Sequence, residues 1–323
     1  MNPFTALYGA ATALRNTMFD RGVLSSQRLE KPVISVGNLS VGGSGKTPFV
    51  IALGELLKAR GIPFDVLSRG YGRKTRGVLV VEMDGNAADF GDEPLLIARR
   101  LGVPVIVGES RYRAGRFAEQ KFQPQAHVLD DGFQHRSLAR DFDIVLMTER
   151  DFDDSLLPSG RLREPLSSLQ RADAIVLPQD FSGHEVEIKN FAGPGKPVWR
   201  MSRQISVPAA PVAPIVFCGI ARSEQFFAQV RAAGVTPAAE VEFRDHHAYN
   251  SSDIERLASM RDRLSAGGFL TTEKDAVNLG SLTLPLQAEI KPLAVATLSL
   301  TLDHPADVVG AILERIAKRE ARS

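Results

Sequence analysis

Cysteine is nearly absent from this chain, with Cys218 the single one in 323 residues. A lone cysteine excludes an intrachain disulfide and any multi-cysteine metal site, and it fits a reducing compartment. Within Val216-Phe217-Cys218-Gly219 it reads as a small buried residue. An excess of one charge is missing too. With 39 Lys and Arg against 38 Asp and Glu, the formal net charge is +1. That balance argues against a nucleic-acid partner held by bulk positive charge. No uninterrupted apolar run approaches the roughly 18–20 residues that cross a bilayer. Nor does a basic segment, an apolar core and a small-residue cleavage site mark a secretory signal. No internal repeat or low-complexity tract is visible. What remains is the composition of a soluble globular protein, 44% hydrophobic and 24% charged, long enough for two α/β domains.

The first residues depart from that ordinary picture. Phe4, Leu7, Tyr8, Ala11, Leu14 and Met18 fall on one helical face, and Arg15 is the only charge between Pro3 and Phe19. Two readings fit: a helix lying in a membrane surface, or an ordinary first helix packed on the domain.

The most informative stretch is Ser40-Val41-Gly42-Gly43-Ser44-Gly45-Lys46-Thr47. It follows the apolar run Val33-Ile34-Ser35-Val36 and precedes Pro48-Phe49-Val50-Ile51-Ala52-Leu53, which reads as a buried helix ending near Gly61. Strand, glycine-rich loop, Lys-Thr and helix form the layout of a phosphate-binding P-loop. Glycines let backbone N–H groups turn around a phosphate, Lys46 adds a point charge, and Thr47 offers a hydroxyl to magnesium. The usual pattern opens with a glycine where this chain has Ser40, a modest departure because the donors come from the later glycines. The loop residues Val41, Gly42, Gly43, Ser44, Gly45, Lys46 and Thr47 are therefore the candidate nucleotide contacts. A tight strand-to-helix turn is the plain alternative.

Beyond the loop, short apolar runs alternate with helical patterns. Strands are expected at 64–67, 77–81, 104–107, 126–129, 144–147 and 174–177, and helices at 93–100 and 110–122. Such spacing predicts an α/β fold, a mostly parallel P-loop NTPase-like sheet covered on both faces. Residues 204–214 carry three prolines and no charge and read as a connector. A smaller α/β unit should follow, with strands at 215–218, 239–243, 269–272 and 293–300 and helices at 223–233, 251–264 and 305–319. The run 293–300 is a candidate to pair back with 198–205. The expected division is an N-terminal helix at 1–20, a P-loop domain at 21–203, a linker at 204–214 and a smaller domain at 215–323.

Several polar constellations sit where chemistry would need them. Val128-Leu129-Asp130-Asp131-Gly132 ends an apolar strand in acid, where a P-loop enzyme holds magnesium, so Asp130, Asp131 or both are candidates. Gln134 and His135 follow on the loop, placed for a polar substrate. Gly91-Asp92-Glu93-Pro94 is a helix start, where acid suits the helix dipole and a carboxylate could also serve as a general base. Ser68-Arg69-Gly70-Tyr71-Gly72-Arg73 is either a phosphate- or sugar-binding loop or a solvated turn. Arg111, Arg113 and Arg116 offer guanidinium forks near a helix start, or a charged helix face. In Asp245-His246-His247, one His paired to a carboxylate is better chemistry than a shared metal. Thr271-Thr272-Glu273-Lys274-Asp275 either lines the interdomain cleft or caps a helix at Thr272.

Two absences narrow the class. No Lys is followed two residues later by Asp, so the usual guanine-reading loop of GTPases is missing. Filament-organising ATPases place a signature Lys just before the double glycine, where this chain has Val41.

In order and combination these segments resemble the tetraacyldisaccharide 4′-kinase family of Gram-negative lipid A biosynthesis. The resemblance runs from the apolar first helix through Gly37-Asn38 to Thr47-Pro48, Ser68-Arg69-Gly70-Tyr71-Gly72, Gly91-Asp92-Glu93-Pro94 and Asp130-Asp131-Gly132-Phe133-Gln134-His135. It continues to Asp245-His246 and Thr272-Glu273-Lys274-Asp275. It implies ATP and Mg2+, and phosphoryl transfer to the 4′-hydroxyl of a lipid A disaccharide 1-phosphate precursor. It also implies a peripheral enzyme on the cytoplasmic face of the inner membrane, with no nucleic-acid partner. Asp92 would be the base, with His246 as its partner and Lys46 on the phosphates. Asp131 would hold magnesium with Thr47. Glu93, Arg111 and Gln134 would bind the sugar–phosphate headgroup, with Arg69, Tyr71 and His135 nearby. On this reading Asp92 and His246 meet only when two domains close over the nucleotide. The alternatives are another P-loop kinase or ligase, which has no need of the first helix, and a non-catalytic membrane-attached ATPase, which has no need of the Asp92–His246 pair.

Overall fold

In the computed structural model, which describes residues 2–320, the chain folds as two units. One comprises Met1–Arg69, Val103–Ser202 and Leu300–Ser323, and the other Gly70–Gly102 and Arg203–Ser299. This differs from the contiguous division expected above. Residues 70–102 group with the C-terminal half, and the end of the chain groups with the P-loop half. Element spacing along a sequence shows where strands lie but not which sheet takes an intervening excursion.

The first unit is built on a parallel sheet in the order Val198–Ser206, Ala174–Pro178, Phe142–Leu146, Val33–Asn38, Ala126–Asp130, Phe64–Ser68, Val105–Val107. Val33–Asn38, Phe64–Ser68, Ala126–Asp130 and Phe142–Leu146 are buried along their whole length. That explains why they read as continuous apolar runs rather than alternating ones. Two polar residues break the pattern and answer each other. Asp65 and His127 sit in register on neighbouring strands, fully buried, with His127 Nδ1 2.8 Å from Asp65 Oδ1.

The second unit carries the parallel strands Ala239–Glu242, Ile215–Cys218, Phe269–Thr272 and Leu293–Leu302. Phe217, Val241, Phe243, Tyr249, Ile254, Leu257 and Phe269 fill one face of this sheet, and Cys218, Phe226, Phe227, Val230 and Leu270 the other. Cys218 is buried, as its apolar setting implied. The suspected pairing of the two long strands is present. Val198–Ser206 and Leu293–Leu302 are neighbours, with Ser202 bonded to Thr301 and Ser299 to Gln204. The supposed linker therefore begins as strand, up to Ser206.

Most expected helices form within a residue or two of their sequence limits, including Lys46–Ala59, Asp92–Leu101, Arg111–Phe122 and Ser251–Arg263. The short helices Ala87–Phe90, Glu185–Ala192 and Leu284–Glu289 were not anticipated. At four to eight residues they are too brief for an amphipathic period to register. The strand expected at 77–81 shrinks to Leu79–Val80.

The first helix, Pro3–Asp20, packs on the domain by one side and leaves apolar side chains exposed on the other. One side packs on the first unit: Thr5 bonds Ser159, Tyr8 Oη donates to the Arg163 carbonyl, and Asn16 donates to Glu164. The other side leaves Phe4 and Leu7 each 68% exposed and Leu14 63% exposed. Among the described residues no helix is long and apolar enough to cross a membrane.

Candidate active site

In the first unit, polar groups gather at the carboxyl ends of three adjacent strands, Asn38 after the first, Ser68 after the second and Asp130-Asp131 after the third. The loop from Val41 to Gly45 leaves Asn38's strand and enters the helix Lys46–Ala59. Gly42, Gly43 and Gly45 all have positive φ, and Gly45 sits at φ 90 where the helix begins without a side-chain cap. A side chain there would strain the backbone, and a helix start without a cap leaves its first N–H groups to an external acceptor. Ser44 and Thr47 are buried, whereas Val41 is 40% exposed and bonded through its own N–H to the Arg161 carbonyl.

Lys46 Nζ lies 3.0 Å from Asn38 Oδ1 and 3.5 Å from Asp131 Oδ1. Arg163, absent from the sequence reading, grips the same carboxylate with both arms at 2.8 and 2.9 Å and also bonds Asn38 Oδ1. Asp131 itself takes a left-handed φ of 50. Burial would raise its carboxyl, but Lys46 and Arg163 outweigh that and hold it far below the usual carboxylate range. Asp130 is buried and accepts from Ser68 Oγ at 3.0 Å. Asp131 is coupled to the P-loop lysine. Nothing in the local sequence Gly160-Arg161-Leu162-Arg163-Glu164 announced Arg163, because a loop cation becomes legible only through the carboxylate it meets.

A second group in this unit is strongly basic. Arg111 opens the helix Arg111–Phe122, is buried, and has its Nε without a hydrogen-bond partner. Burial first, and then repulsion from Arg69, lower its guanidinium to about 10. Arg113 is exposed, which separates the two candidates the sequence left together. His135 is driven down to about 4 by burial and by Arg111, Arg140, Arg15 and Arg69 around it. Gln134 Nε2 donates to the Asn38 carbonyl, while its buried Oε1 has no partner. These side chains form a field suited to an anion, with hydrogen-bonding capacity still unspent.

The second unit holds a separate constellation. Gly91, at φ 91, starts the helix Asp92–Leu101, and a Cβ there would lie 3.0 Å from the Tyr71 carbonyl oxygen. Asp92 is buried at that helix start, and its Oδ1 accepts the Glu93 N–H at 2.9 Å. Its Oδ2 lies 2.9 Å from His246 Nδ1. Both residues belong to this one unit. The expectation that two domains must close to join them is therefore corrected, since the loop after Ala239–Glu242 brings His246 to Asp92 within the unit's own fold. His246 is held at φ 58 by its N–H, which donates to the Gly219 carbonyl and to Asp245 Oδ1. Gly219 is in turn fixed by Asp275, which also accepts from Tyr249 Oη and Thr272.

Burial would raise the Asp92 carboxyl, but the His246 hydrogen bond and the Lys274 charge hold it below its ordinary value. Reciprocally, Asp92 raises the His246 imidazole. Tyr71 is 67% exposed with its ring 5.5 Å from that imidazole, and Glu93 lies half-buried, 3.7 Å from Lys274. The candidate residues thus divide. Lys46, Thr47, Arg69, Arg111, Asp131, Gln134 and His135 belong to the first unit, and Tyr71, Asp92, Glu93 and His246 to the second. Of the two readings of the Thr272–Asp275 segment the cap is present, with Thr272 capping the helix Glu273–Leu279, and within the same unit Lys274 reaches the Asp92 carboxylate at 3.7 Å. Among the described residues no three His, Cys, Asp or Glu side chains cluster as a ready-made metal site.

Comparison with known proteins adds to this geometry. The chain matches the family described as tetraacyldisaccharide-1-P 4′-kinase over residues 1–317. It is 48% identical over 330 aligned positions to the tetraacyldisaccharide 4′-kinase of Koribacter versatilis, covering 99% of this chain and 100% of that one. It is 40% identical to the enzyme of that name from Aquifex aeolicus, covering 86% and 88%. A crystal structure of LpxK from Aquifex aeolicus in complex with ATP superposes with a TM-score of 0.77 at 35% identity, covering 97% of this chain and 98% of that one. With a match of this length behind the P-loop and the acid–imidazole pair, the chain belongs to the tetraacyldisaccharide-1-P 4′-kinase family.

Proposed function

We propose that the chain transfers the γ-phosphoryl group of ATP to the 4′-hydroxyl of a tetraacyldisaccharide 1-phosphate, as a peripheral enzyme on the cytoplasmic face of the inner membrane. The observation that carries the reading is the 2.9 Å bond between Asp92 and His246. It supplies a buried, ionised carboxylate with an oriented imidazole, which a nucleotide-binding scaffold without phosphoryl transfer has no need of.

The nucleotide fits the residues present. Loop glycines at positive φ and an uncapped helix start suit phosphate oxygens, and Lys46 supplies the point charge. Magnesium fits the donor set of Thr47 and Asp131, since it takes one or two carboxylates and shares its remaining positions with phosphates and water. When bound it neutralises charge on the phosphates. The substrate hydroxyl loses its proton to Asp92 as its oxygen bonds the γ-phosphorus and the bond from that phosphorus to the β-phosphate bridge oxygen breaks. Asp92 has one oxygen on His246 and the other on the Glu93 N–H, and lone pairs remain for that proton. Its lowered carboxyl keeps it ionised at neutral pH, and a loose transfer demands little basicity of the acceptor. Arg111, His135, Gln134 and Arg69 are suited to the sugar–phosphate headgroup, and Glu93 and Tyr71 lie beside the proposed base. Exposed Phe4, Leu7 and Leu14 on the first helix support attachment to the membrane surface.

Incubation of the full chain with labelled ATP and the disaccharide 1-phosphate tests the reading. Label should pass to the lipid with wild type and almost none with Asp92→Asn. An unlabelled lipid with the active wild-type preparation would end it.

A further inference from the structure

A cation, Lys274, faces the acid–imidazole pair inside the second unit. Lys274 stands in the first turn of the helix Glu273–Leu279, with only 16% of its side chain exposed. Its Nζ lies 3.2 Å from His246 Nε2 and 3.2 Å from Asp245 Oδ1. It is also 3.7 Å from both Asp92 Oδ2 and Glu93 Oε1. An ammonium has three donors and no acceptor. The contact with Nε2 is therefore a hydrogen bond only if Nε2 offers its lone pair, and the ring proton then sits on Nδ1, which faces Asp92.

We infer that Lys274 is a positioning residue for the phosphoryl-transfer step, fixing His246 as the neutral Nδ1–H tautomer and so keeping Asp92 hydrogen-bonded rather than ion-paired to its imidazole. The inference rests on the reading of Asp92 as the base. A second proton on the ring would set Nε2–H against the ammonium, with Asp245 Oδ2 3.8 Å away. The groups facing the ring are Asp92, Asp245 beside it, Lys274 on the opposing helix, and the Tyr71 ring, while Glu93 faces the Lys274 ammonium. Glu273 is turned to Arg100, which it binds at 2.8 and 2.9 Å. Three acids around one ammonium hold Lys274 charged: burial alone would lower it, but Asp92, Glu93 and Asp245 raise it. Two of these acids, Asp92 and Asp245, also raise the imidazole and would draw a proton onto His246 if Lys274 were gone. Imidazolium beside Asp92 would weaken the carboxylate as an acceptor of the hydroxyl proton.

The test is nitrogen NMR of the full chain labelled at its six histidines, with His246 assigned by its loss in His246→Asn. Near pH 8 the wild-type ring should carry hydrogen on Nδ1 and a bare Nε2. In Lys274→Met the ring's titration midpoint should rise by about one pH unit or more. The acid limb of kcat/KM should rise with it, and kcat should fall by roughly tenfold or more with KM for ATP unchanged. Lys274→Arg keeps a donor and should restore the wild-type tautomer. Hydrogen on Nε2 in the wild type, or an unmoved midpoint in Lys274→Met, overturns the inference, and the wild-type spectrum decides even if the Met variant fails to fold. A fully active Asp92→Asn enzyme would instead remove the base reading, and with it the positioning role.

Discussion

His246 Nδ1 lies 2.9 Å from Asp92 Oδ2 although 154 residues separate them along the chain. The two meet inside a unit assembled from residues 70–102 and 203–299, so the pair is a fixed feature of that unit's fold. If Asp92 is the base, as proposed, it needs no rearrangement of its own partner before it accepts a proton.

Asp92→Asn keeps shape and removes the proposed base, so phosphoryl transfer should fall by roughly 10² to 10⁴ while ATP binding persists. His246→Ala should slow the same step. Because the two side chains are bonded, the double variant should be little worse than the more damaging single one. Fully multiplicative losses in a single-turnover assay would mean they act separately.

Lys46 is bonded to Asn38 and near Asp131, and Lys46→Ala should cost about 10² or more in kcat. Asp131→Asn should raise the magnesium needed for half-maximal turnover by at least about tenfold. An Asp131→Asn enzyme with an unchanged magnesium titration would move the metal to Asp130.

Leu7→Glu combined with Leu14→Glu places two charges on the exposed side of the first helix, leaving the Thr5, Tyr8 and Asn16 bonds in place. Flotation with vesicles containing anionic lipid should show the variant shifting to the unbound fraction, with its thermal melting unchanged. Continued co-flotation would place the attachment elsewhere.

The buried Asp65–His127 pair carries a pH signature. Burial would lower the imidazole, but Asp65 and Glu119 outweigh it and raise His127 to about 9. A basic group raised on folding stabilises fully below its unfolded value of about 6.5. That contribution is lost as pH climbs from there through about 9. Urea midpoints should therefore decline between pH 7 and 9.5 by more in the wild type than in His127→Gln. Parallel declines would show that His127 is neutral in the folded chain.

Much of the site was legible because its residues lie next to one another in sequence. The P-loop is a contiguous strand–loop–helix, and its positive-φ glycines and uncapped helix start are features of local backbone geometry. Asp130-Asp131 could be read for the same reason, as acids closing a buried strand. Arg163 was not legible in this way, and Lys274 was legible only as part of its segment, without a partner. The meaning of each cation comes from carboxylates that other segments supply.

The sequence by itself determined the parallel α/β character, the phosphate-binding loop and the apolar first helix, since hydrophobic period, turn glycines and caps act over a few residues. Only the tertiary structure decided that residues 70–102 join the C-terminal unit, that Asp92 and His246 are already bonded there, and that Arg163 and Lys46 share Asp131. Those outcomes depend on which distant segments pack together. Burying the strands dictates that packing, and the charges caught between them must then find partners or remain at a cost.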